Sequence, residues 1–566
     1  MKYKYTLVLV AMLLSGSVGC QKDYLNSKID TYATPATIIT NRGTLFSFGN
    51  AFYTPLVADY GFNVNVDKNL FAAATDEAQQ TASPSSAQIY NEGGLNPGNN
   101  PEAGLYKNYY DGIRAANFFL NYSLTGHDLL TLGRDTVTDV TAYHNDLQNL
   151  KWYRAEAHIA RAYYYAELIK RWGGVPIINT TLDQAGAEYV PKSTYDEVVA
   201  YIVSEIDNNK ADLQVNWKTS NFATNDGRFT LGAALAIKAR VLLYAASPLH
   251  NPSNDVTKWQ AAATAAYDII NNDAAHPNAK FNYALDNNYG AYFTGLNTVT
   301  SNETIFAIRQ SANHTPESLN YPIGTAGGSS GVCPSDNLVS DYEYLTGAIP
   351  NPALPYNDRD PRLAASIVYN GSTWNGRTIV ESAGGTDDIT KANTSKTGYY
   401  LKKLLTDNLN LVQNGTNQHQ WAVYRYAEIL LDYAEAMNEA YGPDNANGYK
   451  LSARQALKMV RDRASMALPV VNAGSVSSFR DALKHERRIE LAFENHRYWD
   501  LIRWNDAMIV LNQPIKGVKV TQSGGAYAYT KVNVATRVFN TANSYYPFSQ
   551  AEISNSKGTL VQNPNY

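Results

Sequence analysis

Cysteine is nearly absent from this chain: two in 566 residues, at positions 20 and 333. Two thiols are too few for a cysteine-type zinc site, and once Cys20 is otherwise committed no intrachain disulfide remains. Charge is also scarce, at 17% of residues, and 47 Lys+Arg against 51 Asp+Glu leave a net charge of −4. Nucleic-acid binding calls for a basic stripe or domain, so no nucleic-acid partner is expected. Long apolar runs are missing as well. No segment after the N-terminus approaches the ~20 apolar residues that cross a bilayer. The nine histidines are scattered without metal-ligand spacing, so neither a metal nor a cofactor is expected.

Tyrosine, by contrast, is plentiful: 42, against 16 phenylalanines and eight tryptophans. It is large, rigid and amphipathic, which suits helix packing and also surfaces that bind polar ligands.

The N-terminus has the make-up of a processing signal. Lys2 and Lys4 precede the apolar run Thr6 to Leu14, and small residues lead to Gly19-Cys20. That run is too short to span a membrane. A Cys at the end of such a signal reads as a bacterial lipoprotein site, cut before Cys20, which then carries the lipid. Ser17 departs mildly from the usual pattern, in which Leu is commoner at that place.

Trp152 to Ile178 (WYRAEAHIARAYYYAELIKRWGGVPII) organises the rest. Ala155, Ile159, Ala162, Ala166 and Ile169 form one helical stripe, and Ala157, Ala160, Tyr164 and Leu168 form a second beside it. Two adjacent stripes mark a helix packed on both sides. Gly173-Gly174 stops it in a left-handed turn. Further helices are expected at Leu105 to Tyr122, Tyr195 to Leu213 (capping box Thr194 with Glu197), Ala233 to Ser247 and Trp259 to Asn271. Tyr424 to Tyr441 and Ser452 to Ser465 (Ser452 with Gln455) follow. The fold class this predicts is mainly α: tetratricopeptide-like helical hairpins with long loop insertions and a few short strands, the strands falling within 346–420. Phe479 to Trp504 reads as one charged helix with Arg487–Glu490, Glu494–Arg497, Arg497–Asp500 and Asp500–Arg503 pairs, each worth roughly 0.2–0.5 kcal/mol if exposed.

Catalytic motifs fail one by one. His485-Glu486 begins like HExxH, but Ile489 occupies the second histidine position. Gly327 to Gly331 fits GxSxG literally without the strand before and helix after that a nucleophile elbow needs. No catalytic residue is expected.

Eight segments, in order and nearly end to end, resemble the SusD/RagB family of Bacteroidota outer-membrane lipoproteins. They are Cys20 with QKDYL, IRAAN (113–117), ARAYYYAELIKRWGGVPII (160–178), GRFTLGAALAIKARVLLYAASP (227–248), DRDPRL (358–363), YRYAEILLDYAEAMNE (424–439), ERRIELAFENHRYWDLIRW (486–504) and LVQNPNY (560–566). The resemblance implies a cell-surface, lipid-anchored outer-membrane protein. It would bind oligosaccharide and deliver it to a SusC-like TonB-dependent barrel, without catalysis. It also implies residues 1–19 as signal peptide, 20–45 as lipidated tether, and regions 46–280 and 281–566 forming one compact unit. A helical surface glycoside hydrolase and a peptide-binding or protein-interaction lipoprotein of the same fold stay open. Such proteins build their sugar platform from an early loop and a mid-chain segment. Asp76 to Asn91 (Asp76, Glu77, Tyr90, Asn91) and Asn282 to Phe293 (Tyr283, Asp286, Asn288, Tyr289, Tyr292) are therefore the expected ligand-binding stretches, both read as non-helical. On that reading Tyr90→Ala or Tyr289→Ala weakens binding without lowering the melting temperature.

Overall fold

Ala-rich helices in this chain stack face to face, because small side chains let backbones approach and tyrosines fill the gaps. The computed structural model describes residues 39–58, 69–132, 134–217, 227–270, 281–463, 466 and 468–566. Cys20 and the expected signal lie outside the described residues. So do residues 20–38 of the expected tether.

The helices that matter below are α1 (Ala103–Tyr122), α2 (Val140–Trp172), α3 (Tyr195–Asn209), α4 (Leu231–Ala246), α5 (Val256–Ile270), α6 (Pro361–Ser366), α7 (Tyr426–Tyr441), α8 (Ala453–Arg461), α9 (Val476–Glu490) and α10 (Arg497–Arg503). The chain divides into a small unit, residues 1–48 with 122–150, and a large one, residues 49–121 with 151–566. In the small unit Asp146 pairs with both Arg42 and Arg134. In the large unit α4 packs on α3 and α5, α5 on α7, and α7 on α8 and α9. This is the expected mainly helical, hairpin-built fold.

Local signals settle where helices begin and end. Thr194 and Ser452 cap α3 and α8 with the reciprocal boxes that the sequence predicts. Gly173, at φ +69°, ends α2. Several boundaries differ from expectation: α2 starts at Val140, ahead of Trp152, and the longest strand pair among the described residues, Ile515–Ser523 with Ala526–Ala535, lies outside 346–420. Tyr424 and Arg425 belong to a strand, Gln420–Arg425, antiparallel to Thr304–Arg309, so α7 starts only at Tyr426. The Phe479 to Trp504 stretch is two helices, not one. Phe493 at φ +64° and Asn495 at φ +62° break it between α9 and α10.

The break has a purpose in the packing. A helix end leaves carbonyl groups without intrahelical donors, and cations are favoured there. Arg425 Nη2 donates to the Glu490 carbonyl oxygen at 2.8 Å, and Lys403 Nζ donates to that of Ala492 at 2.8 Å. Glu486, Arg487, Glu490, Glu494, Arg497, Asp500 and Arg503 of this stretch are buried, and most of their partners are distant in sequence. Arg425 bonds Glu303, Glu490 and Glu494 at 2.7, 2.7 and 2.6 Å, Arg463 bonds Glu303 and Glu490, and Arg362 bonds Asp360, Glu486 and Glu490. Arg487 pairs with Asp432 and Asp500, and Arg497 with Asp76. Of the i,i+3 pairs expected, Asp500–Arg503 forms, at 2.8 Å. The others give way because the low-dielectric interior holds each charge to a fully desolvated partner, not to a solvated neighbour one turn away.

Candidate functional site

Two loops zipped together by asparagine build part of the wall of a large cleft in the large unit. Thr373–Trp374 pairs with Arg377–Thr378 across Asn375-Gly376, both at positive φ (52° and 69°), the signature of a tight hairpin turn. Asn375 N donates to Asp407 Oδ1 at 2.9 Å, and Asn408 N donates to Asn375 Oδ1 at 3.0 Å. Trp374 is thereby seated beside the 402–407 segment, with Tyr321 edge-on to its ring at 6.2 Å.

The cleft holds about 810 Å³, within the range of small-ligand sites, and includes Asn287, Trp374, Lys402, Thr406, Asp407 and Asn417 in its lining. The start of α6 and the short helix Tyr289–Tyr292, which Asn288 caps by accepting from Ala291 N at 3.0 Å, also contribute to the lining. α6 is opened by Asp360, whose carboxylate accepts from Arg362 N. Lys402 Nζ lies 5.4 Å from the Trp374 ring centroid and donates to the Ala364 carbonyl oxygen at 2.7 Å. Burial holds the Lys402 pKa below the usual lysine range, with Asp407 opposing the shift. The Trp374 Nε1–H is buried without a protein acceptor.

Asn288 and Tyr289 of the expected ligand residues line this cleft, and no residue of Asp76 to Asn91 does. Neither stretch is wholly non-helical: Ser86–Asn91 and Tyr289–Tyr292 are short helices. Asp76 is buried between Arg497 (2.8 Å) and Arg488 (2.8 Å). Glu77 is buried beside it, and burial together with the Asp76 charge pushes its pKa up to about 8. Tyr90 packs on Phe71, and Asn91 donates to the Ala73 carbonyl oxygen. Tyr283 stacks on Phe281 at 5.1 Å, and Tyr292 bonds Thr304 Oγ1 at 2.7 Å. Asp286 accepts from Asn288 N and Ser301 Oγ, closing a turn. Sequence reasoning passed over Trp374, Lys402, Asp407 and Asn417. The Asn375-Gly376 dipeptide signals the hairpin, but nothing local signals what the hairpin packs beside.

A second cleft of about 400 Å³ lies along α1, lined by Tyr106, Tyr110, Ile113, Leu182, Val190 and Leu560 among others. It is the more apolar of the two, and Tyr110 spends its hydroxyl on the Pro176 carbonyl oxygen at 2.6 Å.

Comparison with known proteins accounts for this architecture. Residues 291–566 match the model described as "SusD family", and residues 23–243 match one described as "Starch-binding associating with outer membrane". SusD-like protein P38 of Formosa agariphila is 26% identical over 372 residues, covering 65% of this chain and 69% of that relative. Among solved structures, a SusD-like protein from Bacteroides fragilis superposes with TM-score 0.74 at 22% identity, covering 94% of this chain and 98% of the other. A SusD-like carbohydrate-binding protein, also from B. fragilis, gives 0.73 at 22%, covering 92% and 99%. A laminarin-binding SusD-like protein gives 0.63 at 19%, covering 93% and 100%. Two matching models that together span most of the chain, on a shared fold, make this protein a member of the SusD family.

Proposed function

We propose that this protein is a lipid-anchored outer-membrane receptor that binds oligosaccharide in the Trp374 cleft and passes it to a SusC-like TonB-dependent transporter. The observation that carries the binding step is the cleft itself. Indole, ammonium, carboxylate and amide groups surround a preformed space, and several of their donors and acceptors are not used by the protein. A sugar ring needs hydrogen-bonding groups at its rim in a preformed concavity, and the cleft offers them around the small part of the Trp374 and Tyr289 rings that stays exposed. Relatives named for carbohydrate or laminarin binding support the same reading. A two-carboxylate hydrolase needs an acid and a base or nucleophile flanking the bond. Among the described residues lining the cleft, Asp407 is the one carboxylate, which favours binding over hydrolysis.

The test is calorimetry of the purified soluble form against a panel of plant, algal and host oligosaccharides. Trp374→Ala and Asn417→Ala should each weaken the glycan the native protein binds. Native affinity in both would move the site elsewhere. For the partner, gentle detergent extraction of the tagged protein should bring down a large barrel protein. Repeated elution alone while a neighbouring barrel gene is expressed would defeat that part.

A further inference from the structure

Many acceptors around the cleft are already taken. Asn288 Oδ1 accepts from Ala291 N, and Asn417 Oδ1 accepts from Gln418 N. Several donors remain. Trp374 is 3% exposed, yet its Nε1–H has no protein acceptor. A buried polar group is ordinarily paired, and this N–H is sealed from solvent at the cleft wall, so it gains an acceptor when the ring shifts to meet a docked ligand. Lys402 Nζ lies over the same ring and spends one proton on Ala364, leaving two. Asp407 is close enough to influence its charge, but the two form no ion pair among the described residues. Thr406 Oγ1 accepts from Asn417 Nδ2 at 2.8 Å and keeps its own proton free.

An indole N–H, a half-desolvated ammonium and a hydroxyl proton all call for acceptor oxygens. A neutral sugar hydroxyl brings a donor along with its acceptors, whereas an oxyanion brings acceptors only and pairs with the ammonium by charge-assisted bonds. We infer that the cleft selects glycans carrying an acidic substituent, a ring carboxylate or a sulfate ester, which docks between Trp374 and Lys402. The inference rests on the cleft being the glycan site. Asp407 supplies a discriminating sign. It is solvent-exposed and bonded to Asn375 N, so it repels an oxyanion weakly; for a neutral sugar it would be a useful acceptor.

Calorimetry on the native protein and on Lys402→Met, Trp374→Phe and Asp407→Asn tests this with three probes. Oligogalacturonate carries carboxylate without sulfate, carrageenan oligosaccharide carries sulfate without carboxylate, and a neutral galactan carries neither. The native protein should favour one anionic probe by about tenfold or more over the neutral one, the scale of one charge-assisted contact. Lys402→Met should erase that preference, Trp374→Phe should reduce it, and Asp407→Asn should preserve or increase it. The favoured anionic probe then separates carboxylate from sulfate. Equal affinity for the neutral galactan, weakened by Asp407→Asn, would keep the glycan site and overturn the acidic substituent. Anionic binding unchanged in all three variants would place the glycan elsewhere and overturn both readings. No binding of either anionic probe would also overturn the proposal.

Discussion

The Lys403 ammonium donates to the Tyr289 hydroxyl at 2.7 Å, and that hydroxyl donates to the Glu490 carbonyl oxygen at 2.9 Å. Tyr289 lines the cleft, and Glu490 is the last residue of α9. The wall of the candidate site is therefore fastened to the helix end where the buried charges converge. Rigid elements hold binding groups in place better than free loops do.

Cutting that fastening should cost stability in proportion to what is left unpaired. Lys403→Met takes away one of the two cations on the buried Glu494 carboxylate, leaving it to Arg425, and also removes the donor to the Ala492 carbonyl; it should lower stability by about 1.5–3 kcal/mol. Tyr289→Phe keeps the ring and removes one neutral hydroxyl, and should cost about 1 kcal/mol. Urea unfolding of both variants checks the ranking. Equal losses would mean that Lys403 is not the fastener.

Tyr90→Ala should act on the fold rather than on binding. Its ring is 1% exposed and lies 4.9 Å from Phe71 and 5.7 Å from Tyr546. The cavity left behind should cost about 3–5 kcal/mol, as for other aromatic truncations. Tyr289→Ala, at a ring 5% exposed, should also lower the melting temperature, against the sequence expectation. The two differ in affinity: at a temperature where both are folded, Tyr90→Ala should bind glycan like the native protein. A weakened Tyr90→Ala would bring the Asp76 to Asn91 stretch back into consideration.

What was legible in the sequence was what neighbours in sequence decide. The Thr194–Glu197 and Ser452–Gln455 boxes, the Gly173 stop and the Ala/Tyr stripes each act within a few residues, so each could be read directly. The ion pairs could not. Arg425 draws its partners from Glu303, Glu490 and Glu494, and no periodicity encodes a meeting across that many residues. The same limit hid the site. Tyrosine next to asparagine marks a binding loop and a buried turn equally well, and Tyr292 and Tyr90 turn out to serve packing. Trp374 gains its place only when the 402–407 segment is zipped to it.

The buried acid at Glu77 should make stability depend on pH in the neutral range. Burial pushes its carboxyl pKa up to about 8 in the folded protein, against 4.5 for an ordinary glutamate. Between those values the folded state keeps a proton that the unfolded chain has lost. Stability from this group is thus fully present below pH 4.5 and declines as pH rises toward 8, by about 1.4 kcal/mol per pH unit. Glu77→Gln cannot titrate, so its stability relative to the native protein should improve steadily from pH 5 to pH 8. Parallel curves in denaturant melts at those two pH values would rule the effect out.

The anchor prediction depends on chemistry at the start of the chain. Among the described residues no helix is long and apolar enough to cross a membrane. The Lys2, Lys4 and Thr6 to Leu14 pattern ending in Gly19-Cys20 fits a proposed anchor, a processed cysteine bearing acyl chains. A single myristoyl chain binds membranes only marginally, whereas several chains on one residue hold firmly. Cys20→Ala should therefore abolish incorporation of labelled palmitate and release the protein from the outer-membrane fraction. The substitution is at the processing site, outside the binding cleft, so glycan affinity of the released protein should match that of the native soluble form. Full membrane retention of Cys20→Ala would mean that the chain is held by something other than a lipid on this residue.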